Sequence, residues 1–481
     1  MLDNKVTLEA YLRGVASKVG SWRPTGAGGR YNGRVKLSDI TGVRIKKVAV
    51  VAQVVASSAV AVGAAAVVAA TRVASPHNSH SIVEHELEKG TELSVIRLVD
   101  LLIERAQAAH ASDIHLDPRA GSVVVRLRID GILQDAHTLP SSIHHEVISR
   151  IKILCGLRTD EHQAAQDGRF RITLESALSV DVRVSIVPTY HGENAVLRLL
   201  SDQAEEFTLE TLGLTPENRA KILRAINKPH GMILATGPTG SGKTTTLYTL
   251  VKMLNVPAVS IITVEDPIEY SISGINQIQI NPRTGLTFAN GLRSILRQDP
   301  NIIMVGEIRD TETAGLAVNT ALTGHLVLST LHTNDAPTTL PRLLDMKIEP
   351  YLIASTVNIA IGQRLVRRIC KQCKEERPMT SAEAGSLSEI MSAELIELPG
   401  VFYAGSGCEA CAGTGYRGRA GIHEVMEIDN DIREAILHKT SAREIRDVAI
   451  RQGMTPLVVD GFHKAAQGLT TIEEVLRTRY E

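Results

Sequence analysis

The chain has 481 residues, more than one ordinary core organises, so two to four domains are expected. Its 52 basic and 53 acidic residues leave a formal net charge of -1, which excludes a global field that would draw it to nucleic acid or an anionic membrane. Five cysteines, an odd and low count, exclude a secreted disulfide framework and fit a reducing compartment.

The N-terminal "MLDNKVTLEAYLRG" has no apolar core of a signal peptide. Val48–Ala70 then runs 23 residues without a charge, long enough to span a bilayer. It is made of Ala and Val and carries Gln53, Ser57, Ser58 and Gly63, which favours a buried helix or strand pair over a span. Residues 1–84 are taken as an N-terminal region of uncertain fold that closes in the loop-like "SPHNSH".

Residues 85–205 predict a small α+β domain. Val95, Val99, Leu102 and Ala106 recur at helical spacing. In "SVVVRLRIDGILQDA" Asp130–Gly131 separates two apolar runs, a hairpin signal. "VDVRVSIVP" alternates, with Val180, Val182, Val184 and Ile186 on one face and Asp181, Arg183 and Ser185 on the other.

From residue 206 to 365, short apolar runs alternate with helical segments. "MILATG", "SIITVED", "IIMVGE" and "HLVLSTLH" suit a parallel sheet covered on both faces, which makes the fold class α/β. "GPTGSGKTTT" follows the first run and precedes the helix-prone "TTTLYTLVKML". It fits G-x-x-x-x-G-K-[ST] in the required strand–loop–helix context. Gly237, Pro238, Thr239, Gly240, Ser241 and Gly242 would wrap backbone N–H groups around the phosphates of ATP at a helix N-terminus. Lys243 would reach the β- and γ-phosphates, Thr244 would bind Mg²⁺, and Thr245 completes the ATP-binding set. Glu307 sits just past the expected strand Ile302–Val305 in "NIIMVGEIRD", and a further strand end in "TVEDPIEY" supplies Glu265, Asp266 and Glu269. Carboxylates at the C-terminal ends of parallel strands face the same crevice as the glycine loop. Glu307 is favoured for Mg²⁺ and the attacking water, with Glu265 in support. His332 in "TGHLVLSTLHTNDA" shares the crevice and suits a γ-phosphate or subunit-interface role, against the bland alternative of a structural histidine.

Four of the five cysteines fall late. Cys370 and Cys373 in "RICKQCKEERP" and Cys408 and Cys411 in "GSGCEACAGTGY" form two C-x₂-C pairs with 34 residues between them. Each pair presents two thiolates from one turn, and together they would close a tetrahedral Zn²⁺ site within an element spanning 366–420. A redox pair prefers a single C-x-x-C beside a helix N-terminus, and nothing suggests an iron–sulfur electron carrier. Cys155, in "IKILCG", reads as a buried thiol. Residues 421–481 read as a polar helical tail, with a helix start at Ser441 and Glu444.

Taken together, "GPTGSGKTTT", "TVEDPIEY", "LRQDPNIIMVGEIRDTETA" and "TGHLVLSTLHTNDA" resemble the Walker A, Asp-box, Walker B and His-box motifs of the secretion ATPase superfamily, over about Val95 to Glu481. The resemblance implies a RecA-like P-loop ATPase domain preceded by a small α+β, PAS-like domain, and a homohexamer. It also implies arginines that complete the site, at Arg183 in "VRVS", Arg198 in "VLRLL", and Arg293 and Arg297 in "GLRSILRQDP". Arg293 and Arg297, four apart on an expected helix, would share a face. Within the superfamily a tetracysteine element marks the branch that powers type II secretion and type IV pilus assembly. The implied partners are an inner-membrane platform protein and a membrane-bound adaptor, with no nucleic acid. The implied place is the cytoplasmic face of the inner membrane. The rivals are a pilus retraction ATPase, which generally lacks the cysteines, a conjugative or DNA-translocating ATPase, which needs a basic pore face, and a regulatory module with dead chemistry.

Overall fold

A computed structural model describes residues 76–174, 179–200, 207–383, 385 and 401–478. Val48–Ala70 and the rest of the chain up to residue 75 lie outside the described residues. The described residues belong to one unit, Arg72–Glu481. Among them no helix is long and apolar enough to cross a membrane.

The first half is a six-stranded antiparallel sheet with helices on it. Helix α1 (Pro76–Glu88) takes in most of the "SPHNSH" stretch expected as a loop, and with α2 (Val95–Ala108) it leads into strands β1 (Ala111–Arg119), β2 (Ser122–Ile129) and β3 (Ile132–Pro140). Helix α3 (His144–Cys155) and strands β4 (Gln166–Thr173), β5 (Ser179–Thr189) and β6 (Gly192–Leu200) follow, in the order β3-β2-β1-β6-β5-β4. Ser94 caps α2 by accepting from the Arg97 N–H. The helix buries Val99, Leu102 and Ala106, while Val95 is half-buried. Asp130 and Gly131 both have positive φ, 51° and 88°, the backbone that a two-residue hairpin demands. Along β5, Val180, Val182, Val184 and Ile186 are buried and pack with Leu98, Leu102 and Ile151 in one core.

The second half is a seven-stranded sheet ordered β15-β12-β7-β11-β10-β8-β9. After α4 (Pro216–Ile226) come β7 (Gly231–Thr236), α5 (Lys243–Leu254), β8 (Ile261–Glu265), β9 (Asn276–Gln279), α6 (Phe288–Ile295), β10 (Ile302–Val305), α7 (Thr311–Leu322) and β11 (Leu326–Leu331). Helices α8 (Thr339–Asp345) and α9 (Pro350–Thr356) lead to β12 (Val357–Ile369). Strands β7, β8, β10 and β11 are buried at every position, because the ladder is parallel and both faces are covered. Two separate apolar clusters flank the sheet, one holding Met232, Leu234 and Val264, the other Ile233, Ala235 and Met304.

The cysteines interrupt neither the sheet nor its edge. Strand β12 passes through residue 366 unbroken and pairs antiparallel with β15 (Tyr416–Glu427). Between them lies a two-stranded ribbon, β13 (Lys374–Pro378) with β14 (Val401–Gly405). Beyond β15 come α10 (Asn430–Leu437), α11 (Ala442–Arg451), α12 (Leu457–Ala466) and α13 (Ile472–Arg477). Ser441 and Glu444 form the expected capping box at α11. Phe402 of β14 is buried with Val459, Phe462, Ile472 and Val475, so the ribbon and the last two helices share a core. Glu474 of α13 holds the Arg367 side chain at 2.7 Å and its backbone N–H at 2.9 Å, pinning that core to β12.

Leu102→Ala is expected to lower the unfolding free energy of the full chain by about 2–5 kcal/mol, read by urea denaturation, because it opens a cavity between α2 and the first sheet.

Candidate active site and metal centre

The parallel ladder sets the site. Thr236 pairs with Leu331, and Val305 pairs with both Ser329 and Val264. Four strand ends therefore lie along one side of the sheet, and the residues just beyond them converge there. The loop 237–242 leaves β7 and enters α5 through Gly242, whose φ is 86°. A Cβ on Gly242 would lie 2.7 Å from the Gln363 amide nitrogen, so β12 approaches the loop closely. Gln363 also accepts a hydrogen bond of 2.6 Å from Thr246, bracing the first turn of α5 from the neighbouring strand.

Lys243 folds back over the loop and donates to the carbonyl oxygens of Gly237 at 2.8 Å and Pro238 at 2.9 Å. Burial pushes its amine down to about 8, with the Glu307 charge opposing that shift. Glu307 thus lies within electrostatic reach of Lys243. The Glu307 carboxylate is held by Arg309 at 2.6 Å and His332 at 3.1 Å. Thr333 ties the same loop to the end of β7, donating its N–H to the Thr236 hydroxyl at 3.1 Å. His325 instead contacts the Thr320 carbonyl at 3.1 Å, on the helix before it.

Glu265 is turned inward, with its residue only 2% exposed. Thr263 donates to Oε1 at 2.5 Å, the Gln277 amide donates to Oε1 at 3.1 Å, and the Tyr248 hydroxyl donates to Oε2. Burial raises its carboxyl above the ordinary range while those donors oppose the shift.

The arginines have different surroundings. Arg183 reaches the Asp-box loop, donating to the Ile268 carbonyl at 2.6 Å and lying 3.6 Å from Glu269. Arg198 sits opposite Arg183 in the β5–β6 register but pairs with Asp113 at 2.9 Å. Arg293 pairs with Glu312 at 2.6 Å. Arg297 donates to the Arg293 carbonyl at 3.1 Å and lies beyond the end of α6, so the shared helical face expected for these two stops short of it. Among the described residues, Arg183 alone of the four forms a hydrogen bond or ion pair with the Asp-box residues. Sequence reasoning passed over Gln363, Tyr248, Gln277 and Arg309. Gln363 carried a signal, a polar residue inside the apolar run "VNIAIGQRLV".

The four cysteine sulfurs lie within 4.8 Å of one another. Cys370 and Cys408 are 3.7 Å apart, Cys373 and Cys411 3.8 Å, Cys408 and Cys411 3.7 Å. A tetrahedron with a Zn–S bond of about 2.3 Å has an edge of about 3.8 Å, so the donor set fits zinc in type and size. The surrounding glycines make this possible: a Cβ on Gly405 would lie 2.1 Å from the Gly415 carbonyl oxygen. Although burial opposes ionisation, the backbone N–H groups of Cys408 and Gly415 donate to the Cys411 sulfur and hold its thiol down to about 6. Cys155 is free and half-buried rather than buried as expected, and burial pushes its thiol up to about 11.

Residues 88–477 match the profile of a family described as "Type II/IV secretion system protein". The chain is 48% identical over 394 residues to the type IV pilus assembly ATPase PilB of Thermus thermophilus, covering 81% of this chain but 43% of that protein. It is 46% identical over 383 residues to the type II secretion system protein HxcR of Pseudomonas aeruginosa, covering 80% and 77%. It is 43% identical over 398 residues to the type II secretion system ATPase E of Vibrio cholerae, covering 83% and 78%. Among solved structures it resembles the pilus retraction motor PilT with bound ADP, at 26% identity and TM-score 0.55 over 79% of this chain and 96% of that one. The Legionella pneumophila ATPase DotB shares the fold, at 23% identity and TM-score 0.58 over 79% and 95%.

The purified chain is expected to carry about one zinc per polypeptide by elemental analysis, and Cys411→Ser to lose it, since three thiolates leave the tetrahedron open.

Proposed function

The chain belongs to the Type II/IV secretion system protein family, and from that premise we propose that it is an ATP-hydrolysing motor for assembly of a type II secretion pseudopilus or a type IV pilus. The observation that carries the reading is the convergence of Lys243, Glu307 and His332 at parallel strand ends around a glycine loop. Relatives at 43–48% identity are named for pilus assembly or type II secretion, against 26% identity to the retraction motor PilT. The tetracysteine cluster supports assembly in the same sense.

In this reading the loop N–H groups and Lys243 bind the phosphates of ATP, with the α5 N-terminus adding its positive end. The Thr244 hydroxyl and the Glu307 carboxylate are the oxygen donors that would hold Mg²⁺, whose charge neutralises the phosphate oxygens. Glu307 also orients the attacking water, and His332 keeps its carboxylate aimed through the 3.1 Å contact. Glu265 supports proton removal from that water. Arg183, Arg198, Arg293 and Arg297 are the guanidinium donors, from this chain or a neighbour in a homohexamer, that would meet developing charge on the γ-phosphate. ATP turnover then opens and closes subunit interfaces against an inner-membrane platform protein, from the cytoplasmic side.

Deleting the gene in its host and complementing it with wild type or Lys243→Ala tests this. Only wild type is expected to restore function. Loss of secreted enzymes with pili intact assigns type II secretion, loss of pili assigns pilus assembly, and loss of neither overturns both. In vitro, Lys243→Ala is expected to lower ATP turnover at least about 100-fold.

A further inference from the structure

Three side chains donate to the Glu265 carboxylate, and one of them comes from the phosphate-binding helix. Tyr248 is fully buried on α5, four residues after Thr244 and hence one turn along the same face. Its hydroxyl donates to Glu265. The direction of that hydrogen bond is settled by the other groups on the phenol oxygen. The Glu269 backbone N–H donates to it at 3.3 Å, and the Gln277 amide, which also donates to Glu265 Oε1 and to the Tyr270 carbonyl, lies 3.4 Å away. With donors already facing its oxygen, the phenol gives its own proton to the carboxylate. The Gln277 amide is itself oriented, because its oxygen accepts the Ile272 N–H at 2.7 Å. The Tyr248 ring is fixed by Tyr270, edge to face at 4.7 Å between centroids.

We propose that Tyr248 is a positioning residue for ATP hydrolysis, its hydroxyl tying the Glu265 carboxylate to the phosphate-binding helix. The proposal rests on the reading above that Glu265 supports water activation. A displacement of α5 by bound phosphates moves Tyr248 with it, so Glu265 is aimed by the same helix that carries Lys243 and Thr244.

The groups around Glu265 make its ionisation depend on this donor. Tyr248 faces it from α5 and Glu269 from the loop after β8, while β8 and β9 contribute the neutral Thr263 and Gln277. On the β10 side Gly306 presents backbone alone. The titratable neighbours that shift it most are thus a phenol and a like charge, while the cations of the surroundings act on adjacent groups, Arg183 on Glu269, Arg309 on Asp266 and Lys252 on the Tyr270 ring. Burial and Glu269 both raise the carboxyl, and only the hydrogen bonds lower it. Burial and the Glu265 charge in turn push the phenol well above its usual range, so it stays protonated as a donor. Removing that donor must raise the carboxyl further.

The test is the pH profile of ATP turnover by the full chain between about pH 5.5 and 9. Tyr248→Phe is expected to move the acid limb of kcat upward by about one pH unit, the size of one hydrogen bond to a charged group. The alkaline plateau is expected to stay within about three-fold of wild type and KM for ATP within about two-fold. Thr263→Val, which removes a different donor, is expected to move the limb in the same direction and serves where Tyr248→Phe folds poorly. A Tyr248→Phe profile superimposed on wild type, or lowered equally at every pH, overturns the proposal. Glu265→Gln separates the two readings: it is expected to bind nucleotide and lose at least about 100-fold in kcat. If it turns over at the wild-type rate, the role given to Glu265 fails and that of Tyr248 with it. If it is inert while Tyr248→Phe is unchanged, only the tether fails.

Discussion

The ladder linking β7, β11, β10 and β8 decides where the charged groups of the site end up. Parallel pairing fixes Thr236 beside Leu331 and Val305 beside Ser329 and Val264. Once those backbone bonds form, Gly237, His332, Glu307 and the Asp box have no choice of side. The strands themselves are buried throughout, so a slip in register would move polar strand-end residues into an apolar core. The same burial lets Glu307 act at a distance on Lys243, since charges near a low-dielectric wall interact more strongly than in water.

Strand β12 is where nucleotide loop, cysteines and C-terminal helices meet. Gln363 braces Thr246 from its middle, and Cys370 follows its last residue. Its antiparallel partner β15 carries the fully buried Glu424, whose Oε1 accepts the Ala336 N–H at 2.5 Å and whose Oε2 accepts the Leu457 N–H at 3.3 Å. Burial and the Asp335 charge push that carboxyl up to about 7. One side chain thus joins the loop after His332 to the start of α12. A zinc in the cysteine cluster would stiffen the far ends of both strands, because Ile369 and Tyr416 are paired immediately beside Cys370 and Gly415.

Much of this was legible in the sequence, and for a physical reason. A glycine loop between an apolar run and a helix, the alternation in "VDVRVSIVP", the Asp130–Gly131 turn and the two C-x₂-C pairs are local constraints, each readable within about ten residues. What escaped were contacts made across the chain. Gln363 lies 117 residues from Thr246, and Tyr248 lies 17 residues before the carboxylate it serves. Their spacing carries no signature, since the sheet order alone brings them together. The same limit explains Glu265: a strand-end position says that a carboxylate is near the crevice, but not that three donors turn it inward. It explains Arg297 too, which falls past the end of a helix only eight residues long.

Arg183 shows how the two halves of the chain would work against each other in the proposed motor. Its guanidinium is held by a backbone carbonyl of the Asp box and by Glu269, with the side chains 27% and 41% exposed. A pair that open to water is worth at most about 1 kcal/mol, and the carbonyl hydrogen bond adds a similar amount. Nucleotide phosphates carry far more negative charge than Glu269 and would outcompete it for the guanidinium. A phosphate-bound neighbour could therefore draw Arg183 off its resting contacts without unfolding anything. Among the described residues Asp130 makes a further polar contact between the halves, accepting the Gly418 N–H at 2.8 Å. Contacts made by single polar groups cost at most a few kcal/mol each to exchange, and exchanging them leaves both apolar cores intact.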